Sequence, residues 1–200
     1  MYYVIYDDFL PLRSYAHLKS YLSSGFGFPW NISPKINDND LSNEDFYFAT
    51  LCYCQNKSFN EQWNPAVQFD PFRDLLSPLN MTALLRVKCN MYMRSTSDKV
   101  YHHAKHIDYA HPQRGALFFL TNCNAPTTMA DGYQVESKEN RMLLFDAFSE
   151  HSSSSPTDAK NRMTININYH GYGLHERYKY EMTNVNPTHA KNIEALEKFG

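Results

Sequence analysis

Apolar and polar residues follow different rhythms in the two halves of this 200-residue chain. From Val4 to Leu22 the pattern predicts a short strand, an Asp-rich break and an amphipathic helix. Leu12, Tyr15, Leu18 and Leu22 recur at helical spacing, and Pro11 sits near the helix start. Gly25 to Asn43 is rich in Gly, Pro, Asn and Asp and reads as a loop. Phe46 to Tyr53 reads as a strand. Asn60 to Asn80, with Pro65, Pro71 and Pro78 among aromatics, reads as short helical turns packed over a core.

From Met81 the texture changes to short runs of β-formers: Leu84 to Met93, Gly115 to Leu120, Tyr133 to Glu136, Arg141 to Phe145 and Arg162 to Tyr169. Turn signals at Ala130-Asp131-Gly132 and Lys138-Glu139-Asn140 separate some of them. Strands without intervening helices predict an antiparallel sandwich or barrel. A helix over Pro187 to Lys198 is expected to close the chain. The length suits one domain over 1–200, with N-terminal α/β support in 1–80, a β core in 81–170 and a tail in 171–200.

A formal net charge of -2 argues against a strongly basic nucleic-acid surface. No apolar run approaches the roughly 18 residues that span a bilayer, and MYYVIYDDFLPLRSY makes a poor secretory signal. The expectation is a cytoplasmic protein without nucleic-acid or membrane partners. Cys52, Cys54, Cys89 and Cys123 form no C-x-x-C pair, and buried free thiols are expected. Cys52 and Cys54, two apart on a strand, are expected to face one side of a sheet.

Among nine histidines, His106-Ile107-Asp108 is the only H-x-D, and His151 follows 43 positions after Asp108. On a strand, His106 and Asp108 project to the same side and can meet one metal ion. A second histidine from a distant strand would complete two nitrogens and one oxygen on one face of an octahedron. That set leaves the opposite face open, as a redox-active iron(II) requires.

Arg162 lies 11 residues beyond His151, at the head of the alternating run RMTININ. Arg162 and Thr164 point to one side of that strand, and Met163, Ile165 and Ile167 to the other. A guanidinium fork matches a carboxylate and stays charged when buried, and a hydroxyl two residues on can add a hydrogen bond. Each element alone has a bland explanation as a loop histidine, a solvated aspartate or an edge-strand charge. Their order and spacing inside one β-rich segment point to a site.

With these residues in view, the chain resembles the Fe(II)/2-oxoglutarate-dependent dioxygenases, closest to the prolyl-hydroxylase-like branch and its small bacterial and phage-type members. The likeness is carried by HID at 106–108 and by GALFFLTNCNAPTTMADGYQVESKENRMLLFDAFSEHSSSSPTDAKNRMTININY at 115–169, with a weaker echo at DDFLP. It implies a mainly β protein with flanking α, a double-stranded β-helix (jelly-roll) core behind N-terminal helices. It implies iron(II) on His106, Asp108 and His151, and 2-oxoglutarate paired with Arg162 and assisted by Thr164. Tyr92, on the strand before the H-x-D, stands near where relatives place a tyrosine that contacts the co-substrate, and Asn90, on the same side of that strand, is a further candidate. O2 is consumed, ascorbate is a possible helper, and succinate and CO2 are released as an unactivated C–H bond is hydroxylated. Peptidyl-proline, an amino acid or another small metabolite is the implied substrate, and the oligomeric state is not legible.

Two departures from the family pattern stand out. Phe118-Phe119 replaces a tyrosine of some prolyl hydroxylases, and Ala125-Pro126-Thr127 replaces the usual Gly-x-Thr. Arg94, His102, His103 and Arg114 lie near the metal segment as candidate substrate contacts or as solvated loop residues. The alternatives are a cupin-like metal-binding jelly roll without oxygenase activity and a catalytically silent β-sandwich interaction module.

Overall fold

A computed structural model describes residues 3–24, 27–34, 46–58 and 61–174. In chain order they form β1 (Tyr3–Tyr6), α1 (Leu12–Ser23), β2 (Asn31–Ser33) and β3 (Tyr47–Cys54). A 3-10 turn (Asp70–Phe72) runs into the short helix α2 (Arg73–Leu76). Then follow β4 (Leu79–Met93), β5 (Tyr101–His102), β6 (Arg114–Phe119), β7 (Cys123–Met129) and β8 (Gln134–Ser137). The last strands are β9 (Arg141–Asp146), β10 (His151–Ser152), β11 (Ser154–Ser155) and β12 (Asn161–Leu174). The expected helix at Pro187 to Lys198 lies outside the described residues.

Seven strands form one sheet in the order β1-β9-β6-β12-β4-β3-β2. Three more form a smaller sheet, β10-β7-β8, and β11 pairs with β5. Every described pairing is antiparallel. This is the jelly roll expected from the sequence. Among the described residues no helix is long and apolar enough to cross a membrane.

The large sheet has two faces of opposite character. On its outer face Met163, Ile165 and Ile167 of β12 join Val87 and Cys89 of β4, Phe118 of β6 and Met142 of β9. Tyr15, Leu18 and Leu22 of α1 and Leu75 and Leu76 of α2 pack against them. On the inner face Leu117 and Phe119 of β6 and Leu143 and Phe145 of β9 meet Met129 and Val135 of the small sheet. Strands β6 and β9 are therefore buried on both sides, which explains their unbroken apolar runs. Each buried Leu, Ile or Phe contributes ~1.5–3 kcal/mol. A dozen such side chains on the outer face can offset the several kcal/mol that a buried charge on the inner face costs.

One turn explains why DDFLP and the Asn140-Arg141 pair at the start of β9 belong together. Asn140 has φ 59, a left-handed conformation that asparagine tolerates better than most residues. Its Oδ1 accepts from the Leu10 amide at 2.9 Å, and its Nδ2 donates to the Leu10 carbonyl at 2.9 Å. Arg141 grips Asp7 with two hydrogen bonds, Nε to Oδ1 at 2.6 Å and Nη2 to Oδ2 at 3.1 Å, and Lys138 adds a third at 3.0 Å. Burial alone would raise the Asp7 carboxyl, but these two cations more than offset it and hold it below the usual range.

Several expectations are corrected. Leu12 opens α1 but is exposed, so the helix buries Tyr15, Leu18 and Leu22 alone. The predicted loop 25–43 contains β2, and β5, β7, β10 and β11 were not visible in the sequence pattern. Strand β7 hides because Pro126 and small polar residues interrupt it, beside an irregularity in its register with β8. Strands β10 and β11 hide in a serine run that looks like low complexity, yet Ser152 and Ser154 are buried. Cys52 and Cys54 do not share a face. A bulge between Leu51 and Tyr53 inserts Cys52 as an extra residue, which sits 3.6 Å from Cys89 in the core. Cys54 instead lies opposite Arg86, whose side chain turns inward. All four cysteines are free.

Candidate active site

The inner face of the large sheet is built by two neighbouring strands with the same alternation. Arg86, Asn90 and Tyr92 project inward from β4, and Arg162, Thr164, Asn166 and Asn168 from β12, where Arg162 lies opposite Tyr92 and Asn168 opposite Arg86. Their alternate neighbours fill the outer core, so burial of Met163, Ile165 and Ile167 fixes the direction of the polar set.

His106 and His151 meet as a pair of antiparallel backbone partners. Each amide donates to the other's carbonyl at 2.9 Å, which brings residues far apart in sequence side by side with ring centroids 4.6 Å apart. The H-x-D therefore does not lie on a regular strand as expected. His106 makes an isolated bridge and Asp108 sits in a bend. His106, Asp108 and His151 still converge, with one ligand atom from each lying within 4.8 Å of the others. His106 Nε2 is 4.0 Å from Asp108 Oδ1, and His151 Nε2 is 3.9 Å from Oδ2.

Backbone carbonyls set the imidazole tautomers. His151 Nδ1 lies 3.0 Å from the Ser149 carbonyl and His106 Nδ1 lies 3.5 Å from that of Ala104. A carbonyl only accepts, so Nδ1 carries the proton and Nε2 presents its lone pair to the centre. Phe145 packs edge-on against the His151 ring at 5.0 Å, and its own ring lies where a Cβ on Gly115 would sit 2.6 Å away. Burial, then the neighbouring His151, pushes the His106 imidazole down, favouring the neutral form that ligates metal.

Three side chains unmarked by the sequence pattern hold Asp108. Arg86 Nη2 donates to Oδ1 at 2.8 Å, Asn168 Nδ2 to Oδ2 at 2.9 Å, and Asn166 Nδ2 to Oδ2 at 3.2 Å. Arg86 Nε also donates to Asn168 Oδ1 at 2.9 Å, closing a ring of contacts that fixes the amide's orientation. Burial would raise the Asp108 carboxyl. The Arg86 charge, the imidazoles and the Asn168 amide more than offset it and keep the group ionised. The inward alternation of Arg86 with Asn90 and Tyr92, and of Asn166 with Asn168, was the signal available in the sequence.

A cavity of about 40 Å³ runs from the two histidines to Arg162. His106 and His151 line one part of it. Arg162, Thr164, Asn90 and Tyr92, all placed on the site by the sequence, line it too, with Asn166, Thr127 and Ser153. Arg162 is 1% exposed. Its guanidinium lies 5.6 Å from the Tyr92 ring centre and 5.5 Å from that of Phe119, and Nη2 donates to Thr127 Oγ1 at 2.6 Å. Phe119 thus turns a ring face to Arg162, while Phe118 points into the outer core. Arg162 Nε is buried without a hydrogen-bond partner, and among the described residues no carboxylate pairs with this guanidinium. A buried cation in that state is costly unless an anion enters the cavity.

Of the four flanking candidates, Arg94 and His102 are exposed and Arg114 is half-buried. His103 is buried, with its ring nitrogens on Ser153 Oγ at 2.7 Å and Ser155 Oγ at 3.0 Å. Burial, then the Arg162 charge, pushes its imidazole down to about 3, so it is neutral at physiological pH.

The residues fit iron(II) and 2-oxoglutarate. The donor set is two imidazoles and one ionised carboxylate, and a guanidinium with no carboxylate partner lines the same cavity as the imidazoles. No protein-family model and no curated protein matches the sequence. Solved structures do match the fold. One is a 2OG-Fe(II) oxygenase family oxidoreductase from Burkholderia pseudomallei, with TM-score 0.56, 10% identity, and 88% of each chain covered. Another is the non-heme alpha-ketoglutarate-dependent epimerase SnoN of nogalamycin biosynthesis, with TM-score 0.53, 14% identity, and 85% of this chain and 76% of that one covered. A third is a prolyl hydroxylase from Trichoplax adhaerens in complex with a hypoxia inducible factor peptide fragment, with TM-score 0.52, 12% identity, and 89% and 86% covered. The jelly roll described above is the fold of 2-oxoglutarate oxygenases, prolyl hydroxylases among them.

Proposed function

We propose that this chain is an iron(II)- and 2-oxoglutarate-dependent oxygenase in which His106, Asp108 and His151 hold the metal and Arg162 holds the far carboxylate of 2-oxoglutarate. The observation that carries the reading is Arg162, a buried guanidinium with no counter-ion among the described residues, in the same cavity as His106 and His151. A metal-binding jelly roll without oxygenase activity would leave that charge unexplained. So would a silent β-sandwich.

When bound, iron(II) with 2-oxoglutarate and O2 supplies an oxidant for an unactivated C–H bond and releases succinate and CO2. The protein's share is placement. Arg86, Asn166 and Asn168 keep Asp108 ionised and aimed at the two imidazoles. The carbonyls of Ser149 and Ala104 keep both Nε2 atoms free for the metal. Thr127 braces the Arg162 fork, and Phe119 and Tyr92 enclose it in apolar surface that excludes water and strengthens its hold on an anion. Thr164, Asn90 and Tyr92 complete the co-substrate wall. The substrate class is a peptidyl-proline, an amino acid or a small metabolite.

The test is succinate formation from 2-oxoglutarate under air with Fe(II) and ascorbate, without substrate and then with a panel of peptides and amino acids. Iron-dependent succinate that disappears in His106→Ala supports the reading, and the panel member that stimulates it identifies the substrate. If succinate never forms and 2-oxoglutarate does not bind the metal-loaded protein, the reading is wrong.

A further inference from the structure

Arg86, Lys88 and Arg162 are the cationic side chains that β4 and β12 turn toward the inner face, and the oxygenase reading uses only two of them. Arg86 is paired with Asp108 at 2.8 Å, and Arg162 takes the far carboxylate of the co-substrate. Lys88 is left over. It alternates with Arg86 and Asn90 on β4, between the outward Val87 and Cys89, so it faces the site. Its Nζ donates to the Tyr47 hydroxyl at 2.8 Å, and Tyr47 stacks on Tyr92 with ring centroids 5.3 Å apart. Lys88 is half-buried, and among the described residues no carboxylate pairs with it.

Directly opposite Lys88 on β12 stands Asn166, which lines the cavity. Its Nδ2 lies 3.2 Å and 3.4 Å from the two Asp108 oxygens. A carboxylate only accepts, so the amide nitrogen must face it and Oδ1 must turn away. Oδ1 is shielded from solvent and has no hydrogen-bond partner. A buried acceptor in that state calls for a donor. Opposite residues of an antiparallel pair hold their Cβ atoms about 5 Å apart, so a cation lacking an anion stands beside an acceptor lacking a donor. Ala49 of β3, opposite Asn90 and on the same face, leaves room beside Tyr47 and Lys88 for a ligand.

We propose that Lys88 and Asn166 form the substrate clamp, and that the substrate is a free α-amino acid. Its carboxylate meets Lys88 Nζ, and its ammonium donates to Asn166 Oδ1. The inference rests on the oxygenase reading and narrows its substrate class. An α-amino acid carries both charges on one carbon, which matches a cation and an acceptor on facing residues. An internal peptide residue carries neither charge, and each end of a peptide carries one. The field of the site has the same sense, since the Asp108 carboxylate beside Asn166 favours the ammonium at that end. Because Asn166 also holds Asp108, the clamp lies beside the metal ligands.

The experiment is calorimetric titration of protein loaded with Mn(II) and 2-oxoglutarate, with the free L-amino acids as probes. The tightest binder is then compared with its N-acetyl and carboxamide forms. Each block removes one charge and should weaken binding about tenfold or more. Lys88→Met should weaken the free amino acid by a similar factor but change the carboxamide less than about twofold, because that ligand has already lost the contact. Lys88→Arg keeps the charge and should restore most of the affinity. Titrations of Mn(II) and 2-oxoglutarate into Lys88→Met, expected within about twofold of wild type, show that the variant is folded. Three results overturn the clamp and leave the oxygenase reading standing. They are no amino-acid binding by protein that holds metal and 2-oxoglutarate, blocked forms that bind as well as the free acid, and a Lys88→Met protein that loses nothing or loses both forms equally. Wild-type protein that binds metal but not 2-oxoglutarate overturns both.

Discussion

The two faces of the large sheet are made by the same strands and obey opposite rules. Outward from β4 and β12 point Val87, Cys89, Met163, Ile165 and Ile167, packed on α1 and α2. Inward point Arg86, Asn90, Arg162, Thr164, Asn166 and Asn168, several of them fully buried and one a cation without a counter-ion. The outer face supplies stability, and its sum permits an inner face that is unfavourable until ligands arrive. The contrast also explains the precision of the inner face, because each inward side chain is flanked by two anchored outward neighbours.

The contrast is tested hardest on the outer face. Ile167→Ala should destabilise the protein by about 2–5 kcal/mol in urea unfolding, with little change in metal affinity of the remaining folded protein. Gly115→Ala comes next, since its Cβ would meet the Phe145 ring at 2.6 Å. It should cost about 1–3 kcal/mol and also weaken metal binding, because Phe145 braces His151. An equal metal affinity would mean that the brace is not functional. Arg162→Met should act in the opposite direction. Removing an unpaired buried charge is expected to raise the stability of the ligand-free protein by about 1 kcal/mol and abolish stabilisation by 2-oxoglutarate, both read from thermal melts. A fall in stability would mean that Arg162 is a structural residue.

Asp7→Asn should have the smallest effect, about 1 kcal/mol at neutral pH. Asp7 has a folded pKa below its ordinary 3.8, so its contribution is present above that value and is lost as pH falls through the folded pKa. The difference between variant and wild type should therefore shrink below about pH 4. A difference that persists in acid would assign it to packing.

Much of this was legible along the chain. The H-x-D, the later histidine and the arginine heading an alternating strand named residues that meet in space: His106, Asp108 and His151 converge, and Arg162 shares a cavity with the two histidines. The turn at Lys138-Glu139-Asn140 and the shared side of Arg162 and Thr164 on β12 were likewise visible as local pattern. What hid was of two kinds. Strands β7, β10 and β11 lack the apolar alternation of half-buried strands, because their small and hydroxylic residues satisfy hydrogen bonds instead of filling a core. Arg86 hid because a single charged residue in a sequence reads as surface until its partners are known.

The sequence by itself determined the period of each strand, the residues able to ligate a metal and the cation suited to a carboxylate. These follow from side-chain chemistry and from the twofold alternation of an extended chain. Only the tertiary structure decided that His106 and His151 sit opposite each other across a bridge, that Arg86 and Asn168 close around Asp108, and that His103 stands behind Tyr92. Those contacts join residues tens of positions apart, and their partners are chosen by how two sheets close on one cavity, which no local pattern encodes.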